Sequence, residues 1–251
     1  MLIFQYEPLP TREHTRVLVL EPGPRCDITS PLVGSLRLLD LCDANSEPFE
    51  AISYVWGPPA RTHVILVDGH PLPMTASLRD ALLQTRLPDQ SRTLWADAIC
   101  INQSDHAEKG HQVAVMARIY KASRRTLICL GVQNPTQAQT AAFWIEEVNL
   151  VLENVSRSPS LSGDAGSFVS RGEVEIDTTP FDPLWSTGWG VMVRQTWFQR
   201  GWVVQEALLG PDACVLWGSE QIGWASILRM CYWWVCRGRF CQGFIYGPAI
   251  A

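Results

Sequence analysis

The stretch RTLWADAICINQ, Arg92 to Gln103, constrains the fold more than any other part of the chain. Leu94, Trp95 and Ala96 are apolar, Asp97 interrupts them, and Ala98, Ile99, Cys100 and Ile101 resume the run. Asn102, Gln103, Ser104 and Asp105 close it. A short apolar run bounded by polar residues reads as a buried strand of a mostly parallel sheet. Ser104 or Asp105 is placed to cap a following helix. A carboxylate and two amides at the carboxyl end of a buried strand lie where open α/β sheets put their ligands.

The flanking segments fit the same frame. Upstream, Ala51 to Trp56 reads as a buried strand ended by Gly57-Pro58-Pro59, and His63 to Val67 with Asp68-Gly69 reads as one arm of a hairpin. Leu78, Ala81 and Leu82 at i, i+3, i+4 predict a helix capped by Thr75 or Ser77. Downstream, a helix is predicted from about Ala107 to Ala122, a strand at Arg125 to Leu130, and a third helix from about Thr136 to Val155. Strand, helix, strand, helix, strand with short connections predicts a parallel sheet with right-handed crossovers. Arg16 to Leu20 is a further strand, and Ser35 to Leu41 half-alternates like an edge strand. Residues 156–183, rich in Ser, Gly, Asp and Pro, are expected to form a long surface loop. Asp212 to Trp217 reads as another strand, and the apolar segment from Ser226 as helical. A chain of 251 residues is expected to hold this as a single domain, with residues 229–251 as an extension.

Composition excludes several classes. The net charge is −5 and no run of Lys or Arg reaches four, so nucleic acid is not an expected partner. No apolar run approaches the ~18 residues of a membrane span, and MLIFQYEPLP lacks the form of a secretion signal. The eight cysteines sit mostly singly in apolar runs, which predicts reduced, buried thiols and a cytoplasmic location. Cys231, Cys236 and Cys241 lie five apart, not at zinc spacing, and no metal or cofactor is expected.

Three polar clusters stand in apolar surroundings. They are Ser53-Tyr54 with Trp56, then Asp97 with Asn102 and Gln103, then Arg194 with Arg200, Trp202, Gln205 and Glu206. In a parallel sheet the first two share one edge. Each also has a structural reading. Asp97 can cap a turn, Asn102 can satisfy loop backbone, and Glu206 can form an internal ion pair with Arg194 or Arg200.

AISYVWG (51–57), LWADAICINQSDHAEKGHQVAVMARIYKAS (94–123) and WFQRGWVVQE (197–206) closely resemble, in order and spacing, the three signature blocks of the fungal heterokaryon-incompatibility (HET) domain. The likeness spans roughly Tyr6 to Leu228, with Gly218 and Trp224 resembling its downstream tail. Gly201 departs from the apolar residue usual before Trp202. HET domains often head longer proteins, so the input signal is expected either to come from another chain or to be missing. The resemblance implies fungal non-self recognition and programmed cell death. HET domains are in turn similar to TIR domains, which implies a flavodoxin-like, mostly parallel sheet flanked by helices, here with an added hairpin and C-terminal additions. Some TIR domains cleave NAD⁺ at the nicotinamide–ribose bond, using a glutamate in a W-x-x-x-E pattern that Trp202 to Glu206 matches.

That resemblance implies a nucleotide substrate and a role for Glu206 as the catalytic carboxylate. Asp97, Ser53, Tyr54 and Asn102 would hold or shape the ribose and phosphate site. Trp56 or Trp202 would stack on a ring, and Arg194 or Arg200 would meet the pyrophosphate. Two other readings stand beside it. One is a non-catalytic module that forms a homo-oligomer or binds another signalling protein. The other is a repurposed enzyme acting on a different small molecule.

Overall fold

The structure is a computed structural model that describes residues 2–25, 27–43, 45–156 and 188–237. The expected loop at 156–183 and most of the C-terminal extension lie outside the described residues. The chain divides into two compact units. One is Met1–Pro135 with Arg194–Gln221; the other comprises the described parts of Thr136–Val193 and Ile222–Ala251.

The strands are β1 (His14–Leu20), β2 (Val33–Asp40), β3 (Glu50–Tyr54), β4 (His63–Val67), β5 (His70–Met74), β6 (Arg92–Trp95), β7 (Arg125–Gly131), β8 (Ala213–Trp217) and β9 (Glu220–Gly223). Within the Met1–Pro135 part of the first unit the helices are α1 (Ala76–Thr85), α2 (Asp97–Cys100) and α3 (His106–Ala122). Sheet order is β5-β4-β2-β1-β6-β3-β7-β8-β9. The expected parallel block is present: β6 and β7 flank β3 in parallel, and β8 adds to β7 in parallel. All five residues of β3 are buried, as expected of a strand covered on both faces.

The structure corrects the sequence reading in three places. The sheet is mixed, because β1 runs antiparallel to both β2 and β6, while β4 and β5 form the expected antiparallel hairpin. The strand expected at an edge, β2, lies between β1 and β4, and the hairpin takes that edge instead. The 94–101 run is not one strand. β6 stops at Trp95, and Asp97–Cys100 folds into a helical turn closed by Cys100 N–H donating to the Ala96 carbonyl at 2.8 Å. Short apolar runs carry no period long enough to separate the two conformations, and Ile99, Cys100 and Ile101 are buried either way.

Cap chemistry fixes the helices. Thr75 Oγ1 accepts from Leu78 N–H at 3.3 Å, and α1 buries Leu78, Ala81 and Leu82. Asp105 accepts from Ala107 and Glu108 N–H at the start of α3. Arg16 and Glu108 form a buried pair at 2.6 Å that ties β1 to α3. In the second unit, α4 (Pro135–Ser156) buries Ala138, Ala141, Ile145 and Val148 along one stripe. Gly188 lets α5 (Trp189–Val193) approach it, since a Cβ there would stand 2.9 Å from the Ala141 nitrogen. α7 (Trp224–Arg237) buries Ile227, Met230 and Trp233.

At the opposite, amino end of the parallel strands, Glu50 accepts from Arg92 and, at 2.6 Å, from Arg125. Burial pushes the Glu50 carboxyl up, but the hydrogen bonds and charges of the two arginines outweigh it and hold it below its ordinary 4.5. A carboxyl lowered in the folded state stabilises above its unfolded pKa, and that contribution is lost as pH falls through the folded value. Melting curves from pH 7 to pH 3 are therefore expected to show wild type more stable than Glu50→Gln at neutral pH, with the gap closing below about pH 4.5. A gap that stays constant to pH 3 would count against the pair.

Candidate functional site

The polar clusters of the first two sequence blocks do meet, at the carboxyl ends of β3 and β6. Ser53 and Tyr54 are successive residues of a strand, so they point to opposite faces of the sheet. Ser53 faces the segment after Arg194. There a 3₁₀ turn (Thr196–Gln199) and α6 (Val203–Leu208) bring Trp197 and Glu206 to it, and Arg200 between them reaches Glu206. Trp197 Nε1–H donates to Ser53 Oγ at 2.6 Å, and the Ser53 hydroxyl donates to Glu206 Oε2. Arg200 forks across Glu206, Nη1 to Oε2 at 3.0 Å and Nη2 to Oε1 at 2.9 Å. Glu206 is 2% exposed and Ser53 is buried, while the Arg200 side chain is 24% exposed. The glutamate is thus a buried carboxylate whose two oxygens are both occupied. Of the two arginines the sequence offered as its partner, Arg200 is the one bonded to it.

Asp97 is the second carboxylate. It starts α2, where its Oδ1 accepts from Ala98 N–H at 2.7 Å and its Oδ2 accepts from Trp56 Nε1–H at 2.8 Å. Burial raises its pKa, and the nearby charge of Glu206 adds to the rise, against the Trp56 and Ala98 hydrogen bonds. The Tyr54 phenol is pushed well up, mainly by burial and then by Asp97. Its buried hydroxyl makes no hydrogen bond of ordinary length. Trp56 is 41% exposed, with Lys109 Nζ 5.9 Å from its ring centre.

The remaining candidates lie apart from this cluster. Asn102 turns back on its own loop, accepting from Ser104 N–H at 3.1 Å, and its backbone N–H donates to Glu108 at 2.7 Å. Trp202 precedes α6 with 54% exposure and no bond from its ring to Ser53 or Glu206. Arg194 is exposed, and its backbone carbonyl accepts from the Gln199 amide at 3.5 Å.

Beside the cluster, a cleft of about 220 Å³ opens at the ends of β3 and β7. Tyr54, Ser77 and Asp80 of α1, Gly131, Gln133 and Trp197 are among its lining residues. Trp197 therefore faces the cleft and also reaches Ser53. The sequence does not single it out: four tryptophans fall within residues 185–202, and no periodicity distinguishes the one that enters the site.

Of the described thiols, Cys129 lines the cleft. Cys100, Cys129 and Cys214 are buried as expected, with Cys100 pushed up to about 12 by burial, too weakly acidic to supply a thiolate. Cys42 departs from the expectation and is exposed. The side chains of Cys26, Cys236 and Cys241 lie outside the described residues. Among the described residues no group of His, Cys, Asp and Glu is arranged to hold a metal, and no helix is long and apolar enough to cross a membrane.

An α/β unit with two carboxylates and indoles at the carboxyl ends of parallel strands has the edge such folds use for ligands. The residues that build it fall within 49–206, which match the family described as heterokaryon incompatibility protein (HET), and the chain belongs to that family. It is 30% identical over 205 residues to "Heterokaryon incompatibility protein 6, OR allele" of Neurospora crassa. That alignment covers 68% of this chain but 29% of the relative, so the chain spans less than a third of the curated protein it matches. No solved structure matches the chain.

Proposed function

We propose that the chain acts in fungal non-self recognition and the cell death that follows, and that it does so by hydrolysing NAD⁺ at the nicotinamide–ribose bond. The observation behind this reading is the pair of carboxylates. Glu206, bonded to Ser53, and Asp97, bonded to Trp56, stand at the carboxyl ends of β3 and β6 beside a cleft. The charge of Glu206 adds to the rise that burial gives Asp97.

Breaking the C1′–N bond sends both bonding electrons to the nicotinamide and leaves a cationic, oxocarbenium-like ribose. A fixed carboxylate stabilises that charge, which is the work assigned to Glu206. Water then adds to C1′ and gives up a proton. Asp97, a carboxylate with a raised pKa, is suited to take it. In the resting arrangement Arg200 covers Glu206. Guanidinium groups bind phosphate as bidentate forks, so the substrate pyrophosphate can draw the partly exposed Arg200 away and free the carboxylate.

A second reading rests on the same ion pair. Both Glu206 oxygens are taken by Arg200 and Ser53, which suits a residue that fastens α6 to β3 in a non-catalytic module. Purified protein incubated with NAD⁺ over a wide range of protein concentration separates the two. Free nicotinamide is expected under the enzymatic reading. None at any concentration, from folded protein, favours the module.

A further inference from the structure

We propose that the cleft at the ends of β3 and β7 is a ribonucleoside subsite, with the Asp80 carboxylate accepting hydrogen bonds from the vicinal hydroxyls of the ribose. The proposal deepens the hydrolase reading by stating which part of the substrate this cleft takes and which residue recognises it.

Four observations carry it. The first is size. At about 220 Å³ the cleft falls below the roughly 300–1,000 Å³ of pockets that enclose drug-sized ligands. It suits a sugar with part of its base and cannot enclose a dinucleotide. The second is charge. No lysine or arginine lines the cleft, and the charged side chain that does is Asp80. A phosphate would meet that carboxylate with no cation in the lining to receive it. Arg79, the neighbour that pairs with Asp80 at 3.6 Å, is not part of the lining. The phosphates must therefore lie outside the cleft.

The third is hydrogen-bonding chemistry. Ser77 and Asp80 sit one turn apart on α1, and Gln133 and Thr196 stand elsewhere on the rim. A carboxylate beside neutral donors and acceptors is how α/β folds hold a ribose diol. Gly57, at φ +63°, backs this wall: a Cβ there would lie 2.3 Å from Ser77 Oγ, so only glycine leaves the hydroxyl its position. The fourth is the connection to Glu206. Trp197 lines the cleft, its N–H bonds Ser53, and Ser53 bonds Glu206. Glu206 is not part of the lining, so a ribose seated here is linked to the reacting carboxylate through Trp197 and Ser53 and not by direct contact.

The test is a ligand-observed NMR titration of the full chain with nicotinamide riboside and its 2′-deoxy counterpart. Wild type is expected to bind the riboside saturably and the deoxy compound at least tenfold more weakly, the scale of a hydrogen bond to a charged group. Asp80→Asn is expected to weaken the riboside about tenfold and leave the deoxy compound nearly unchanged. Asp80 is half exposed, so the variant should fold, and Ser77→Ala supplies an independent lesion in the same wall. Equal binding of the two compounds overturns the proposal, as does riboside binding that both variants leave intact, or no saturable binding. Nicotinamide release from NAD⁺, measured on the same samples, separates the claims. Release without riboside binding removes the subsite and keeps the hydrolase; binding without release does the reverse.

Discussion

Replacing Arg200 with alanine is expected to destabilise the protein by about 3–5 kcal/mol, because it strands a buried carboxylate without its cation. Glu206 is 2% exposed, and Arg200 contacts both of its oxygens. Ser53 would remain, but one hydroxyl does not offset a buried charge. Urea denaturation followed by tryptophan fluorescence reads the loss. The double variant Arg200→Met with Glu206→Gln should recover much of it, since an uncharged amide at 206 no longer needs the guanidinium. A loss under about 1 kcal/mol for Arg200→Ala would mean that the pair behaves like a surface ion pair and that Glu206 reaches water.

Trp95→Ala should cost a comparable amount, about 3–5 kcal/mol, through the cavity it opens. Trp95 is fully buried at the end of β6. Its Nε1–H donates to Thr15 Oγ1 at 3.1 Å, and its ring meets Tyr120 edge-on at 5.7 Å. Tyr120 in turn donates to the Ile52 carbonyl of β3. The indole thus joins β1, β6, α3 and β3 around the strand that carries Ser53. Trp95→Phe keeps most of the apolar volume and should cost clearly less. Equal losses for the two variants would place the energy in the Thr15 hydrogen bond and not in the packing.

The parallel core was legible because buried parallel strands are nearly continuously apolar, a signal that AISYV and RTLICL carry between clear turn residues. Helices α1 and α3 were legible through their caps and spacing. The break at Ala96 was not, since four residues of turn show no helical period. The position of β2 was hidden for another reason: its half-alternating pattern gives the face it buries, not the neighbours it pairs with. At the site, the three signature blocks marked Ser53, Tyr54, Trp56, Asp97, Arg200 and Glu206, and these converge. Asn102, Trp202 and Arg194 carry the same residue chemistry but spend it elsewhere, on a loop turn, an exposed ring and an exposed side chain. Trp197 went unmarked, because joining the cleft to Ser53 is a relation across 144 positions of sequence.

The most direct test of Glu206 as the reacting carboxylate compares nicotinamide release from NAD⁺ by wild type and by Glu206→Gln. Both are used at a concentration where wild type is active, and thermal melting verifies the fold of each. Glutamine preserves shape and can still meet Ser53, while its charge is gone. Release is expected to fall by at least about 10²-fold, the scale on which one electrostatic group at a transition state acts, with the variant still cooperatively folded. Release within a fewfold of wild type from folded Glu206→Gln would contradict the assignment and leave Glu206 as the fastener of α6 to β3.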